Sequence, residues 1–429
     1  MKNTLLLIAL FLTGAIYAQE FHRCATHQAL LQQEESNPGY MNQINETFER
    51  AKAMSGLNGD REEVYTIPVV VHIVYNTPEE NLHDSIIFNQ IESLNADFRR
   101  MNADTVNLRD TFQTIVGDSY IQFKLAEIDP DGNPTTGITR TETSVNSFFG
   151  VGTFPADGVK YTSEGGIDPW NQDNYLNIWV CDMSFFDTPA VLGYATPPDG
   201  LPNWPDGSVD GLEDGVVIQY QSFGSNNPNP LDVGGGPLDV LGRTATHEVG
   251  HYLGLRHIWA DGGCTEEDGI DDTPNAVDQS EFDCDDTKNT CTDDIGELGD
   301  LPDMIENYMD YSAESCQNSF TKGQVDLMRG VLETERIDLI QGNPAIVSEK
   351  SVAQFKMYPN PANGMVTLNN LPEGTKQIEL YSETGQLLRS INTASQKVTM
   401  DELNVGFYLV SVQSTEGVST QKLVVTASN

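Results

Sequence analysis

The run from His247 to His257, His-Glu-Val-Gly-His-Tyr-Leu-Gly-Leu-Arg-His, constrains this chain more than any other stretch. Two histidines four apart leave one face of an α-helix, so His247 and His251 can reach a single ion. Gly254 can take a left-handed conformation, ending that helix and swinging the chain back so that His257 completes a three-histidine set. Three imidazoles suit zinc at about 2.0–2.1 Å and leave one coordination position for water and substrate. Glu248, next to the first ligand and turned to the open side, is placed to take a proton from that water. Downstream, Asn307-Tyr308-Met309-Asp310-Tyr311 fits a Met-turn, with Met309 as an apolar floor beneath the metal and Tyr311 as a hydroxyl donor to an oxyanion. Residue types in this pattern point to hydrolysis of a peptide bond.

The rest of the chain must supply a body for that helix. Its 429 residues exceed one typical domain. Met1 to Ala18 reads as a secretory signal peptide: Lys2, then the apolar run Leu5 to Leu12, then small residues before Gln19. No later stretch has the length of a membrane span, so a soluble mature protein is expected. Residues 19–62 are polar with a helical flavour and read as a propeptide. Ile67 to Tyr75 is a buried strand, and Asp84 or Ser85 caps a helix carrying Ile87, Ile91, Leu94 and Phe98 on one face. Tyr120 to Ile128, Tyr175 to Cys181 and Gly215 to Tyr220 read as further strands. Asp182 to Asp214, rich in Pro, Gly and Asp, reads as long surface loops. A capping box at Thr321 and Gln324 opens a late helix. The pattern predicts an α/β (α+β) catalytic domain over residues 63–341, with a twisted mixed sheet and an active-site helix.

A linker is expected at 342–354, and evenly spaced short strands over 355–429 predict a small all-β sandwich. Its strands fall at Gln377–Tyr381, Gln386–Ile391, Phe407–Gln413 and Thr420–Val425, with turns at Thr384-Gly385 and Glu416-Gly417. A rival reading is an adhesive or carbohydrate-binding module. Few aromatics support it beyond Tyr358, Tyr381, Phe407 and Tyr408, three of them at strand positions expected to be buried.

A net charge of −41 excludes a nucleic-acid partner, since such a chain repels phosphate. Acidity favours hard cations, and Asp268, Asp271, Asp272 and Thr273, around the turn at Gly269, suit calcium. The alternative is a solvated acidic surface. Six cysteines in an exported chain suggest disulfides. Cys264, Cys284, Cys291 and Cys316 allow three pairings. Cys181 reads as a buried free thiol. Cys24, at the start of the propeptide, offers a thiolate that could fill the fourth zinc position until the propeptide is removed.

With these residues in view, the chain resembles the pappalysin family of metzincins, in its bacterial cytophagalysin branch. The resemblance rests on Arg243 to Thr246 leading into the zinc motif, His257-Ile258-Trp259, Asn307 to Ser312, Ile67 to His72, Asp97 to Asn102 and Leu176 to Cys181. It implies a zinc endopeptidase made as a zymogen, a calcium site in the corresponding loop, and disulfides Cys264–Cys291 and Cys284–Cys316. It also implies cleavage before Arg or Lys, for which Glu314, after the Met-turn, would be the counter-charge. Met357-Tyr358-Pro359-Asn360-Pro361, Gly364, Thr384-Gly385, Gly406-Phe407-Tyr408 and Lys422 to Val425 resemble the sorting domain of type IX secretion cargo. Partners would then be protein or peptide substrates and that secretion machinery, and the location the cell surface or the medium. A non-catalytic surface binding protein that has kept a metal site is the alternative, and the intact base beside the ligands argues against it.

Overall fold

The structure, a computed structural model, describes residues 21–54, 62–149, 157–198, 213–293, 295–341 and 355–426, apart from breaks at 375, 383–386 and 415–416. The expected signal peptide, the linker at 342–354, the Thr384-Gly385 turn and Glu416 lie outside the described residues. Among the described residues no helix is long and apolar enough to cross a membrane.

Chain order is β1 (His22–Cys24), α1 (Thr26–Ser36), α2 (Tyr40–Met54), β2 (Tyr65–Tyr75), α3 (Asp84–Phe98), β3 (Ile121–Leu125), β4 (Ile138–Glu142) and β5 (Leu176–Cys181). A small hairpin of β6 (Ser184–Phe185) and β7 (Thr188–Pro189) leads to β8 (Val191–Ala195) and β9 (Val216–Gln219). Then come a hairpin of β10 (Leu231–Asp232) and β11 (Pro237–Leu238), and the helices α4 (Arg243–Tyr252) and α5 (Lys322–Glu333). Strands order as β1-β8-β9-β5-β2-β3, with β4 also on β2. Every pairing is parallel except β8 against β9. A central, mostly parallel sheet is covered on both faces, which is why β2 reads as a near-continuous apolar run rather than an alternating one. Ile67, Val69, Val70, Val71, Ile73 and Val74 are all essentially inaccessible.

Helix α3 lies against β3 and α4, its Ile87, Ile91, Leu94 and Phe98 joining Ala245 and Val249 of α4 in one core. Its N-cap is His83, whose Nδ1 accepts the Ser85 N–H at 3.2 Å, not Asp84 or Ser85 as expected. The Asp84 carboxylate is drawn instead to Arg140, 2.5 Å away. At α5 the capping box forms as read, with Thr321 and Gln324 exchanging bonds.

A second correction concerns the stretch read as loops from Asp182 to Asp214. It contains β8, all five residues of which are buried. This strand carries the rim of the site described below.

Residues 355–426 form two antiparallel sheets, β12 (Lys356–Tyr358), β13 (Val366–Asn369) and β16 (Val398–Met400) against β14 (Lys376–Ser382), β15 (Leu387–Thr393), β17 (Gly406–Ser414) and β18 (Gly417–Val425). Val366, Leu368, Ile378, Leu380, Val410, Val412 and Leu423 fill the space between them. The extra strands β12, β13 and β16 are too short for alternation to reveal them. Among the aromatics the expectation of burial fails for all but Tyr408. Phe407 is 50% exposed because β17 alternates, sending Tyr408, Val410 and Val412 inward and Phe407 and Leu409 outward. Lys422 lies over the Phe407 ring.

Candidate metal centre

Helix α4 starts from Gly242, held at φ 82°. The Glu314 carboxylate caps it, accepting the N–H groups of Arg243 (3.2 Å) and Thr244 (2.9 Å) and the Thr244 hydroxyl (3.0 Å). Glu314 is thus committed to the helix end, a role the sequence did not suggest. Gly254, at φ 94°, ends the helix as anticipated, and Leu255 N–H returns to the Gly250 carbonyl at 3.0 Å.

This turn brings the three histidines together. Nε2 of His251 lies 3.1 Å from Nε2 of His247 and 3.1 Å from Nε2 of His257. Each Nδ1 meets its own acceptor: the Tyr308 carbonyl at 2.7 Å, the Leu255 carbonyl at 2.8 Å and the Asp261 carboxylate at 2.8 Å. Those acceptors keep the proton on Nδ1 and leave the Nε2 lone pairs facing one another. Burial first, and then neighbouring imidazoles, push His247 well below the usual range and His251 down to about 3. Three buried imidazole nitrogens converging in this way repel each other unless a cation lies between them, so the donor set fits a borderline dication such as zinc.

Met309 is fully buried beneath this group. A Cβ on Gly250 would stand 2.5 Å from the Met309 sulfur, so glycine lets the helix rest on that floor without displacing the methionine. Trp259 stacks on His257 at 4.2 Å, nearly parallel. The Tyr311 hydroxyl lies 3.3 Å from His257 Nε2 and donates to the Cys24 carbonyl at 3.2 Å.

Glu248 is fully buried, and burial pushes its carboxyl up to about 8. Its Oε2 accepts from the Cys24 thiol (3.3 Å) and the Thr26 hydroxyl (3.2 Å), while Oε1 has no hydrogen-bond partner among the described residues. Cys24 Sγ and one nitrogen of each histidine lie within 4.8 Å of one another. Burial and then the Glu248 charge raise the Cys24 thiol well above its ordinary range. A cation beside the sulfur reverses that preference and favours the thiolate.

Strand β1 brings Cys24 here. It pairs parallel with the rim strand β8, His22 opposite Val191 and Cys24 opposite Gly193, and Thr26 accepts the Ala195 N–H at 2.9 Å. A Cβ on Gly193 would lie 2.6 Å from Glu248 Cγ, so this glycine lets the rim approach the carboxylate. One residue before Cys24, the Arg23 guanidinium is buried, donating to the Ser312 carbonyl and to Gln317 Oε1 (3.1 Å). Burial lowers its pKa, and the charges of Glu314 and then Asp310 oppose this most strongly. Arg23 lines a cavity of about 200 Å³ with Leu192, Leu238, Phe282 and Glu314.

The acidic loop divides in two. Asp268 is buried, its Oδ1 bonded to the Ile270 N–H at 2.9 Å and its carboxylate beside the Thr273 hydroxyl, and burial pushes it up to about 8. Asp272 Oδ1 and the Thr273 hydroxyl are also shielded from solvent, the hydroxyl leaning on the Asp268 carboxylate. Carboxylate and hydroxyl oxygens gathered at such depth fit a hard cation. Asp271 stands apart, 92% exposed and 2.9 Å from Lys52 of α2. Disulfides join Cys264 to Cys291 and Cys284 to Cys316, and Cys181 is a buried free thiol.

Sequence reading missed β8, Gly193, Arg23, Thr26 and Asp261. A five-residue apolar run between Pro189 and Pro197 was the available signal for β8. The others leave no pattern, because their roles depend on distant segments meeting.

A mixed sheet, a three-histidine helix and turn, an adjoining carboxylate and a methionine floor define a metal-dependent peptidase of the metzincin type. The model of the pregnancy-associated plasma protein-A peptidase family matches residues 239–333, and that of the secretion system C-terminal sorting domain matches residues 356–426. A promirolysin point mutant from Tannerella forsythia is 38% identical and superposes with a TM-score of 0.61, covering 74% of this chain and 97% of that one. Mature mirolysin of the same organism, in complex with a cleaved peptide, is 42% identical with a TM-score of 0.55, covering 65% and 96%. An extracellular metalloprotease of Arthroderma otae is 26% identical over 67% of this chain and 84% of its own length. The chain belongs to the pappalysin family of metallopeptidases. It is a secreted metalloendopeptidase with a C-terminal sorting domain of type IX secretion.

Proposed function

We propose that this metallopeptidase is a zinc enzyme exported as a zymogen, in which His247, His251 and His257 hold the metal, Glu248 is the general base and cleavage falls before Arg or Lys. The observation that carries it is the meeting of three Nε2 atoms, each imidazole anchored through its opposite nitrogen.

Bound there, zinc would supply Lewis acidity, polarising the scissile carbonyl and making water acidic enough to lose a proton near neutral pH. Glu248 takes that proton and later returns it to the leaving amine. Burial, which raises its proton affinity, suits it to both steps. Tyr311 donates its hydroxyl to the developing oxyanion once the Cys24 carbonyl no longer occupies it. Met309 keeps the floor apolar, and the two disulfides hold the polar segment from Cys264 to Cys316 that packs beside the site.

Residues 1–18 are the signal peptide, 19–62 the propeptide, 63–341 the catalytic domain, 342–354 the linker and 355–429 the sorting domain engaged by the secretion machinery. In the zymogen Cys24 is the fourth zinc ligand and Thr26 ties down Glu248. Asp268, Asp272 and Thr273 hold calcium, and Asp271 is excluded from that set by its pairing with Lys52.

Arg23 supports the specificity. Its side chain lines a cavity with Glu314, which caps α4 and at the same time opposes with its charge the loss of the guanidinium proton. A substrate's basic side chain would take that place after propeptide removal. In a peptide library, matured enzyme is expected to cut with Arg or Lys directly after the scissile bond, and Arg23→Ala is expected to speed maturation of the zymogen. A library without that preference, from an enzyme that cleaves well, refutes the specificity while leaving the peptidase intact.

A further inference from the structure

Asp97 belongs to α3, not to the zinc motif or the Met-turn, and its buried carboxylate touches both. Oδ2 accepts the Thr246 hydroxyl at 2.8 Å and Oδ1 accepts the Tyr308 hydroxyl at 2.9 Å. Arg243 Nη2 stands 3.6 Å from the same Oδ1 and 2.7 Å from Asp104. All of Asp97, Thr246, Tyr308 and Arg243 are at most 5% exposed. A carboxylate this deep is a costly choice where an apolar residue would fill the space, unless directional bonds are what the position requires.

Those bonds end on two backbone segments that meet at one histidine. Thr246 directly precedes His247 and Glu248, and Glu248 leaves α4 about 200° further round the helix than Thr246. A pull on the back of the helix therefore sets where Glu248 emerges at the front. Tyr308 directly precedes Met309, and its own carbonyl accepts His247 Nδ1–H at 2.7 Å. The two oxygens of Asp97 thus fix the helix bearing His247 relative to the turn that orients His247.

We propose that Asp97 is a positioning residue for the metal centre: by bonding Thr246 and Tyr308 together it sets the geometry of His247 and the placement of Glu248. This rests on the three-histidine site holding a metal. It touches neither metal nor substrate. Replacement by asparagine preserves size but exchanges one acceptor oxygen for an NH2 group, so one of the two hydroxyls loses its acceptor.

The test compares matured wild type with Asp97→Asn in kcat, KM, zinc affinity, the visible absorption of the cobalt-substituted protein and thermal midpoint. The expected result is a kcat lowered about 10- to 100-fold with KM within about twofold, zinc bound about tenfold more weakly, and a shifted cobalt spectrum. Tyr308→Phe, which removes one donor and no charge, should shift the cobalt spectrum in the same direction with a smaller loss of kcat. Combined with Asp97→Asn it should cost less than the sum of the two. A lowered midpoint with kcat, zinc affinity and spectrum all as in wild type makes Asp97 merely structural and overturns the proposal. Should Asp97→Asn not fold, an unchanged spectrum and kcat in both Tyr308→Phe and Thr246→Val overturns it equally. Wild-type protein that takes up neither zinc nor cobalt would instead refute the metal reading beneath it.

Discussion

Replacing Glu248 with glutamine lowers kcat of the matured enzyme by a factor between about 10^2 and about 10^4 and leaves KM and metal content near wild type. Glutamine has the same shape, so the space made by Gly193 still receives it, whereas any side chain on Gly193 would collide with residue 248. Glutamine cannot take up and return a proton, and that transfer occurs only in the transition state. Steady-state kinetics on a peptide with Arg after the scissile bond, beside metal analysis of both proteins, provide the measurement. A Glu248→Gln enzyme retaining more than a tenth of wild-type kcat would remove Glu248 from the role of base.

The second large effect is on stability. Burial holds Asp268 and Glu248 up to about 8 and Asp97 up to about 6, above their unfolded values near 4. A folded protein that keeps such protons is favoured at low pH and loses that advantage as pH rises through the folded values. In chelator, the thermal midpoint should therefore fall between about pH 5 and pH 8. Calcium at the proposed site would bind the ionised form of Asp268, so its stabilising effect should grow over the same range. At a calcium concentration about 100 times its Kd the gain is about 2.7 kcal/mol, or about 5–10 °C for a domain of this size. Asp268→Asn should abolish the calcium response while leaving the zinc content unchanged. No calcium shift at pH 8 in the wild type, or an equal shift in Asp268→Asn, would rule out calcium at that loop.

What was legible in the sequence was local. His247, His251, Gly254 and His257 are close enough in the chain that helix geometry and one left-handed glycine determine where they meet. The β2 run is continuous because both faces of the sheet are covered, and a continuous run is easy to recognise. The rim strand β8 was hidden among Pro, Gly and Asp, which mark turns but do not show that five residues between them are buried. For Glu314 the sequence suggests only a counter-charge, because its sequence neighbours say nothing of α4, whose first N–H groups it accepts. Asp97 and Arg23 act across more than a hundred residues of chain, so only the fold reveals them. In the sorting domain the alternation of β17 was correctly seen, but which of its faces was buried depended on pairing with β14.

The most direct test of the account is to quantify zinc in matured protein and follow cleavage of a denatured protein substrate before chelation, after it and after zinc is restored. The account predicts one equivalent of zinc per chain, lost in His251→Ala, with cleavage that stops when the metal is removed and returns when it is added back. Full cleavage by protein holding less than about a tenth of an equivalent of metal would contradict it.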